Sequence, residues 1–313
     1  MSRDRLRKLQ VYTGLGRPYW SLHRAAGGYD QRVRPYPIDF ESHLRAGHYN
    51  QRDRDGLPIR ITRSGTAIRN YTRLCGFAIA QLQAYQRTSD DHRLAEALAC
   101  ADYMERSGTR DGGGLYLRAD VPGKGHQGSI SAMSQGLAMS VFTRLFTATG
   151  DHRHMDSARQ LMPPFFAAVP DGGVRAELGN GGCGCVWFEE DVATPLRHIL
   201  NGMIFALWGL DDLATTASDP AAEAEYRLGL RSLVHHIDEF DTGWWSLYDV
   251  ADSGSSRLAS ANYHQLHAGQ LAALGDAEGE SSLLEMAERF DRYLSLPGHR
   301  LRAAVALATS KRG

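Results

Sequence analysis

The chain has 313 residues, of which 42% are hydrophobic and 23% charged, and its formal net charge is −1. These values are ordinary for a globular protein and give the whole molecule no strong electrostatic preference for a partner. The sequence has no zinc-finger spacing, no RNP-type aromatic strand and no apolar run of about 18 residues, so we expect neither nucleic acid nor membrane as a partner. The Arg-rich N-terminus lacks the apolar core of a signal peptide, which predicts a cytoplasmic protein.

Residues 1–65 are predicted to form a basic, aromatic-rich N-terminal arm. Prolines interrupt it repeatedly, and it lacks helical periodicity, so we expect an extended segment with a short hairpin or helix that packs on the rest of the chain. Residues 1–73 carry fifteen Lys or Arg against six Asp or Glu. Such a balance fits an anionic ligand or a partner subunit, and a solvated arm is the alternative.

From residue 66 the pattern changes to helices in pairs. Four pairs are predicted: 66–88 with 91–106, 129–149 with 151–168, 196–216 with 220–238, and 260–274 with 279–295. Each break between the two helices of a pair contains an Asp or Gly, residues that cap or end helices. The first three pairs are followed by Asp-Gly or Asp-Thr-Gly turns and short alternating stretches typical of strands.

A helical hairpin repeated every 60–70 residues cannot bury its apolar face alone, whereas four hairpins in a ring can. We therefore predict a mainly α protein whose residues 66–313 form an α/α toroid of about four helical hairpins, with short β-hairpins on one rim. The N-termini of the inner helices gather on that rim, where their free N–H groups favour a bound anion.

Six motifs fall on the predicted rim. In chain order they are Ser131-Ala132-Met133-Ser134-Gln135-Gly136, Glu189-Glu190-Asp191 with Pro195, Leu200-Asn201-Gly202 with Gly209-Leu210-Asp211-Asp212-Leu213, Asp241-Thr242-Gly243, Tyr248-Asp249, and Tyr263-His264-Gln265-Leu266-His267 with Gln270-Leu271. Their order and content over residues 125–295 resemble the C-terminal domain of the D-glucuronyl C5-epimerases, which convert glucuronate to iduronate within heparan-type chains. The resemblance implies the same fold, a uronate substrate and a homodimer.

The resemblance also implies three catalytic residues. The second Glu of the family's Glu-Glu pair is Glu190 here, the Tyr of its Tyr-Asp-Leu-Arg motif is Tyr248, and the Tyr of its Tyr-His-x-x-His motif is Tyr263. Inversion next to a carboxylate needs an acid/base group on each face of the carbon and cations or donors for the developing charge. We therefore expect Glu190 on one face and Tyr263 on the other, with Tyr248 assisting.

Two positions depart from the family motifs. Asp191 replaces the Tyr that follows Glu-Glu, and Ala251 replaces the Arg that helps to neutralise the substrate. Four arginines are candidates for that lost role: Arg257, Arg197, Arg63 and Arg69.

We predict six substrate-binding residues: Gln135, Asn201, Asp191, Arg257, His264 and His267. Each has a simpler alternative, because Gln135 and Asn201 are also suited to bracing helices and the two histidines to a core role. His264 and His267 lack a third ligand of matching spacing, and Cys183-Gly184-Cys185 is too tight for a C-x-x-C metal knuckle, so we expect neither a metal nor a cofactor.

The main functional hypothesis is a uronate C5-epimerase acting on a uronic-acid-containing glycan or a small anionic substrate. Three alternatives stay open at this point. The same proton abstraction could act on another substrate or expel a C4 substituent, as in a lyase. A glycoside hydrolase would need a second acid besides Glu190, for which Asp191 and Asp249 are candidates. A non-catalytic carbohydrate-binding protein is the fourth reading.

Overall fold

The computed structural model describes residues 34–62, 65–118, 128–178 and 183–309, together with Tyr12 and Trp20. Most of the predicted arm, including Arg63, lies outside these residues. By backbone contacts the chain divides into two compact units. The described residues of unit 1 are Tyr12, Trp20, 195–201 and 233–309, and those of unit 2 are 34–62, 65–118, 128–178, 183–194 and 202–232. The predicted domain boundary after residue 65 stays a prediction.

Helices dominate both units. They are α1 (Glu41–Arg45), α2 (Tyr71–Thr88), α3 (Asp91–Ser107), α4 (Ala132–Thr149), α5 (His152–Gln160), α6 (Pro163–Phe166), α7 (Leu200–Ala217), α8 (Pro220–His236), α9 (Ala261–Glu278), α10 (Ser281–Ser295) and α11 (Pro297–Thr309). Short 3₁₀ turns lie at Val169–Asp171 and Ile237–Phe240. None of the helices formed by the described residues is long and apolar enough to cross a bilayer.

Four antiparallel two-stranded hairpins accompany the helices. They pair β1 (Arg60–Ile61) with β2 (Ala67–Ile68), β3 (Thr109–Asp111) with β4 (Gly114–Tyr116), β5 (Arg175–Glu177) with β6 (Val186–Phe188), and β7 (Leu247–Asp249) with β8 (Arg257–Leu258). The β3–β4 hairpin turns at the predicted Asp111-Gly112-Gly113, and the other two hairpins begin shortly after the remaining two predicted Asp turns. In the β1–β2 hairpin, strand β2 takes the place of the first residues of the helix that was predicted from residue 66.

Capping side chains explain where five of the helices begin. Asn70, Asp90, Ser131, Asp151 and Ser260 each accept a hydrogen bond from the first turn of the helix that follows. Such caps satisfy N–H groups that have no partner within the helix. Asp90 and Asp151 lie at two of the predicted breaks, and the helix bounds confirm the paired arrangement for α2–α3, α4–α5 and α9–α10.

Two further helix boundaries were predicted wrongly, and one helix was missed. The helix predicted at 151–168 ends at Gln160, because Pro163 and Pro164 cannot continue it and instead begin the short α6. The break predicted near Gly275 lies at Gly279, which has a φ of 69° and ends α9. Helix α11 was not predicted from the sequence.

Several side chains of residues 34–62 are buried in the core of unit 2. Tyr36 is 1% exposed and packs edge-on against Trp208, and Phe40 packs against Phe205. Gln83 of α2 accepts a hydrogen bond from the backbone N–H of Glu41 and donates one to the carbonyl of Ile38. Residues 34–62 therefore contribute core side chains, as expected for an arm that packs on helices.

Cysteine residues take two different roles in unit 2. Cys75 and Cys100 are free and buried, as small hydrophobic residues often are. Cys183 and Cys185 form a disulfide across Gly184, a pairing that was not predicted from the sequence.

Candidate functional site

Unit 1 brings together two of the predicted catalytic residues and one predicted substrate-binding residue. The rings of Tyr248 and Tyr263 meet edge to face with centroids 4.8 Å apart. The guanidinium of Arg257 lies 5.1 Å from the centre of the Tyr248 ring. Tyr263 is 37% exposed and the Arg257 side chain 53%, so both are accessible to a ligand. We call these three residues the tyrosine–arginine cluster.

A β-bulge presents Tyr248 to this cluster. Leu247 pairs with Leu258 and Asp249 with Arg257, so β7 has one residue more than β8 over this stretch. The extra residue is Tyr248. Bulges bend a strand and re-aim a side chain, and they are common next to active sites. The bulge therefore places Tyr248 and Arg257 side by side although they belong to different strands.

Buried histidines fix β7 against α9, the helix that carries Tyr263. The backbone N–H of Ser246 donates to Nδ1 of His264 over 3.1 Å, and the Ser246 hydroxyl lies 2.8 Å from that atom and 3.1 Å from Nδ1 of His267. Nε2 of His264 lies 2.9 Å from the carbonyl of Phe290, so the bonds assign its proton to Nε2. The ring of Trp245 stacks on His264 at 3.8 Å.

Burial keeps both histidines uncharged. It lowers the pKa of His264 to about 3, and it lowers the pKa of His267 well below its ordinary value. Both side chains are 0% exposed. This placement favours the core role over direct substrate binding, and the network supports the register between Tyr248 and Tyr263.

Asn201 is also enclosed in unit 1. Asn201 is 1% exposed, and its backbone carbonyl accepts a hydrogen bond of 3.3 Å from the side-chain amide of Gln270. This bond joins the first turn of α7 to α9.

Glu190, the third predicted catalytic residue, lies in unit 2 just beyond strand β6. Its carboxylate packs against the first turn of α7, where a Cβ added to Gly202 would lie 2.5 Å from Oε2 and 2.6 Å from Cβ of Glu190. Real side chains do not approach so closely. The Gly of the Leu-Asn-Gly motif is therefore required to make room for Glu190. Glu190 is partly exposed, whereas Glu189 is 0% exposed.

Two sequence motifs meet beside Glu190. The backbone N–H of Ala132, at the start of α4, donates to the carbonyl of Glu189 over 2.8 Å. The hydroxyl of Ser134 in the same turn lies 3.1 Å from that of Thr72, in the first turn of α2. The N-terminal turns of α2 and α4 thus lie together in unit 2, as predicted for inner helices.

The side chains of Gln135 and Asp191 form hydrogen bonds with backbone groups. The amide of Gln135 donates to the carbonyls of Leu115 and Leu161 and accepts from the N–H of Leu117, and its side chain is 0% exposed. The carboxylate of Asp191 accepts from the N–H of Ala193 over 3.2 Å. These contacts favour bracing for Gln135 and a turn-forming role for Asp191.

The four arginines that are candidates for the role lost at Ala251 differ in their positions and in their ion pairs. Arg63 lies outside the described residues, and Arg69 forms ion pairs with Asp53 and Asp55 in unit 2. Arg197 and Arg257 both pair with Asp249 in unit 1, and Arg257 also contacts Tyr248. Arg257 is therefore the candidate that lies within the tyrosine–arginine cluster.

Two features of the site were missed from the sequence. Nothing in the order of residues indicates that Ser246 bonds two histidines about twenty positions later. The sharing of Asp249 between two arginines was also missed, because Arg197 is 52 residues away along the chain. The sequence indicated only the position of Arg257, because a hairpin places this residue of β8 opposite the Tyr-Asp motif of β7.

The chain was compared with known proteins. The model of the D-glucuronyl C5-epimerase C-terminus family matches residues 113–292, more than half of the chain. The D-glucuronyl C5-epimerase of Caenorhabditis elegans is 34% identical over 179 residues, which are 52% of this chain and 28% of that protein. The chain thus spans less than a third of the length of that relative.

Solved structures share its fold. Cellobiose 2-epimerase from Bacillus thermoamylovorans B4167 matches with a TM-score of 0.58 at 12% identity, over 82% of this chain and 70% of that one. The enzyme from Spirochaeta thermophila DSM 6192 matches with a TM-score of 0.55 at 16% identity, over 81% and 70%. These matches confirm the predicted fold class, a mainly α protein of the α/α toroid type.

The matched segment contains every residue of the tyrosine–arginine cluster, as well as Glu190 and Gly202. The suspected family is thereby confirmed: this chain belongs to the D-glucuronyl C5-epimerase C-terminus family.

Proposed function

We propose that this chain is a carbohydrate epimerase that inverts C5 of a uronate, of the glucuronate-to-iduronate type. The observation that carries the proposal is the tyrosine–arginine cluster, in which two phenols lie against one another and against a guanidinium. Phenols can take up and return a proton, and a guanidinium binds a carboxylate. Family membership supports the same chemistry.

The reaction we propose begins with removal of the C5 proton, which leaves an enediolate-like dianion beside the ring. Arg257 stabilises the carboxylate oxygens as their charge grows. Tyr263, assisted by Tyr248, serves on one face of the carbon; for the acid/base group on the other face, Glu190 stays the prediction from the sequence. An unperturbed carboxyl with a pKa of about 4.3 and a phenol with one of about 10 lie on either side of neutrality, so one accepts and the other returns a proton.

The substrate class we propose is a uronic-acid-containing glycan or a small uronate. A lyase outcome would follow from the same first step if a C4 substituent left before the proton returned. For a hydrolase, Asp249 is a poor second acid, because arginine donors bond both of its oxygens. A homodimer and a cytoplasmic location stay predictions.

Incubation with a glucuronate-containing oligosaccharide in deuterated water tests the proposal. Deuterium at C5 with neither a new double bond nor new reducing ends supports the epimerase, new ultraviolet absorbance supports the lyase, and new reducing ends support the hydrolase. Exchange by the wild-type chain is the expected result, and the absence of label in every uronate tested would contradict the epimerase.

The assignment of Tyr263 has its own test. Tyr263→Phe keeps the ring contact with Tyr248 but removes the hydroxyl, so we expect exchange at C5 to fall by a factor of about 100 or more. Tyr293→Phe is the matched control, because the hydroxyl of Tyr293 bonds Asp241 in the same unit. Full exchange by Tyr263→Phe would refute its role as an acid/base group.

A further inference from the structure

Asp249 is a fully buried carboxylate that is bonded by two arginines. Nε and Nη2 of Arg197 donate to its two oxygens over 2.9 and 3.0 Å. The backbone N–H of Arg257 donates over 2.8 Å and its Nε over 2.5 Å, and its Nη2 contacts Oδ2 as well. Asp249 is 0% exposed. A buried carboxylate is costly unless charged donors surround it, and here both oxygens have them.

The segment that carries Arg197 is fixed to the strand that carries Asp249. The N–H of Asp252 donates to the carbonyl of Leu196 over 3.1 Å, and Ile199 forms a β-bridge with Asp249. Nε2 of His198 lies 2.9 Å from Oδ1 of Asp252. Residues 196–199 thus run beside residues 249–252, and Arg197 approaches Asp249 from the side opposite to β8.

The two arginines differ in what they leave accessible. The side chain of Arg197 is 23% exposed and also donates to the carbonyl of Ser255 over 2.9 Å. The side chain of Arg257 is 53% exposed and lies over the Tyr248 ring. Two guanidiniums against one carboxylate leave a net charge of +1. The more accessible of the two guanidiniums is that of Arg257.

We propose that Asp249 is a positioning residue that holds Arg257 as a subsite for a single carboxylate, with Arg197 as the second cation that holds Asp249 in place. This proposal rests on the proposed function, since the carboxylate would be that of the uronate. Arg257 contacts the substrate, and Asp249 and Arg197 act through it. The cationic role missing at Ala251 is thereby supplied from the facing strand.

Binding of two probes tests the proposal without any chemical step. The probes are a glucuronate-containing disaccharide and the same disaccharide with its carboxylate converted to a carboxamide, and calorimetry gives the affinity for each. We expect the wild type to prefer the acid. Arg257→Gln should lower that preference by about 10- to 100-fold, as expected for loss of a charged hydrogen bond.

Asp249→Asn should lower the preference to a similar extent, and the double variant with Arg257→Gln should lose little more than either single variant. Arg197→Gln leaves Arg257 and Asp249 in place and should give a smaller loss, which keeps the test available if Asp249→Asn does not fold. Arg289→Gln is the matched control, because Arg289 pairs with Asp241 in the same unit. It should leave the preference unchanged.

Each outcome separates the two proposals. Equal weakening of both probes by Asp249→Asn, or additive losses in the double variant, would mean a purely structural role and would overturn the inference. A wild type that binds both probes equally would overturn it too. A wild type that prefers the acid, and loses this preference in the variants, but never exchanges the C5 proton would support the subsite and contradict the epimerase.

Discussion

Gly202 shows how a single missing side chain can create room for a reactive group. It lies in the first turn of α7, where glycine is a poorer helix former than alanine by about 1 kcal/mol. The space that a Cβ would take is filled by the Oε2 and Cβ atoms of Glu190. The glycine therefore makes the helix less stable locally but leaves room for the carboxylate of Glu190.

Gly202→Ala should lower C5 exchange by about 10-fold or more, because the added methyl displaces Glu190 from its position. Thermal stability should change little, since the gain in helix propensity offsets part of the steric strain. The exchange rate and the melting temperature of the variant test this expectation. If Gly202 acts by seating Glu190, the same change in a Glu190→Gln background should cost no further activity, and an equal loss there would contradict the explanation.

At the scale of elements, two glycines allow α4 and α7 to cross in backbone contact within unit 2. A Cβ added to Gly136 would lie 2.6 Å from Cα of Ala206, and one added to Gly209 would overlap the carbonyl of Gly136. Gly136 belongs to the Ser-Ala-Met-x-Gln-Gly motif and Gly209 to the Gly-Leu-x-Asp-Leu motif. Both motif glycines thus have a packing role.

Gly209→Ala should destabilise the chain by about 1–3 kcal/mol, because the two backbones would have to move apart. Urea unfolding monitored by circular dichroism measures the change. Gly298→Ala is the control, since a Cβ at Gly298 in α11 meets no atom of the described residues within 4 Å. A Gly209→Ala variant as stable as this control would refute the close crossing.

Local sequence signals predicted where most of the paired helices begin, but they did not predict glycines that lie inside a helix. Helices α3, α5 and α9 begin where Asp90, Asp151 and Ser260 cap them, and such caps depend only on neighbouring residues. Gly275 was expected to end a helix but lies inside α9, where an added Cβ would be 2.8 Å from Cγ of Leu284. Its reason is tertiary contact with α10, which no local pattern reveals.

The sequence predicted which residues belong to the site but not which residues they contact. Tyr248, Tyr263 and Arg257 could be named from the sequence because a family resemblance and a hairpin place them. The burial of His264 and His267 depends on Ser246 and Phe290, which approach only when β7 and α10 pack on α9. Their motif therefore indicates a position but not whether it faces a ligand or the core.

At the scale of the whole molecule, the two buried histidines link stability to pH. Each is neutral in the folded chain, because burial lowers its pKa far below the unfolded value of about 6.5. Below that value the unfolded chain binds more protons than the folded one. Their contribution to stability is therefore complete above about pH 6.5 and is lost as the pH falls toward the folded value of about 3 for His264.

We expect each histidine to reduce the free energy of unfolding by about 1.4 kcal/mol per pH unit below pH 6. Urea unfolding at pH 7, 6 and 5 measures this slope. Carboxylates also contribute in acid, so the comparison is with His264→Gln, which removes one titrating group. That variant should be less stable at pH 7 but lose stability less steeply below pH 6, and an unchanged slope would contradict the prediction.

The bulge at Tyr248 also affects how related chains should be compared. It adds one residue to β7 and so brings an arginine from eight positions beyond Asp249 to the tyrosine, while the position of the family's own arginine holds Ala251. A survey that scores each alignment column separately would class this chain as lacking the family's arginine. Functional equivalence among such proteins is better judged by which charged group stands beside the phenol in space than by its place in the alignment.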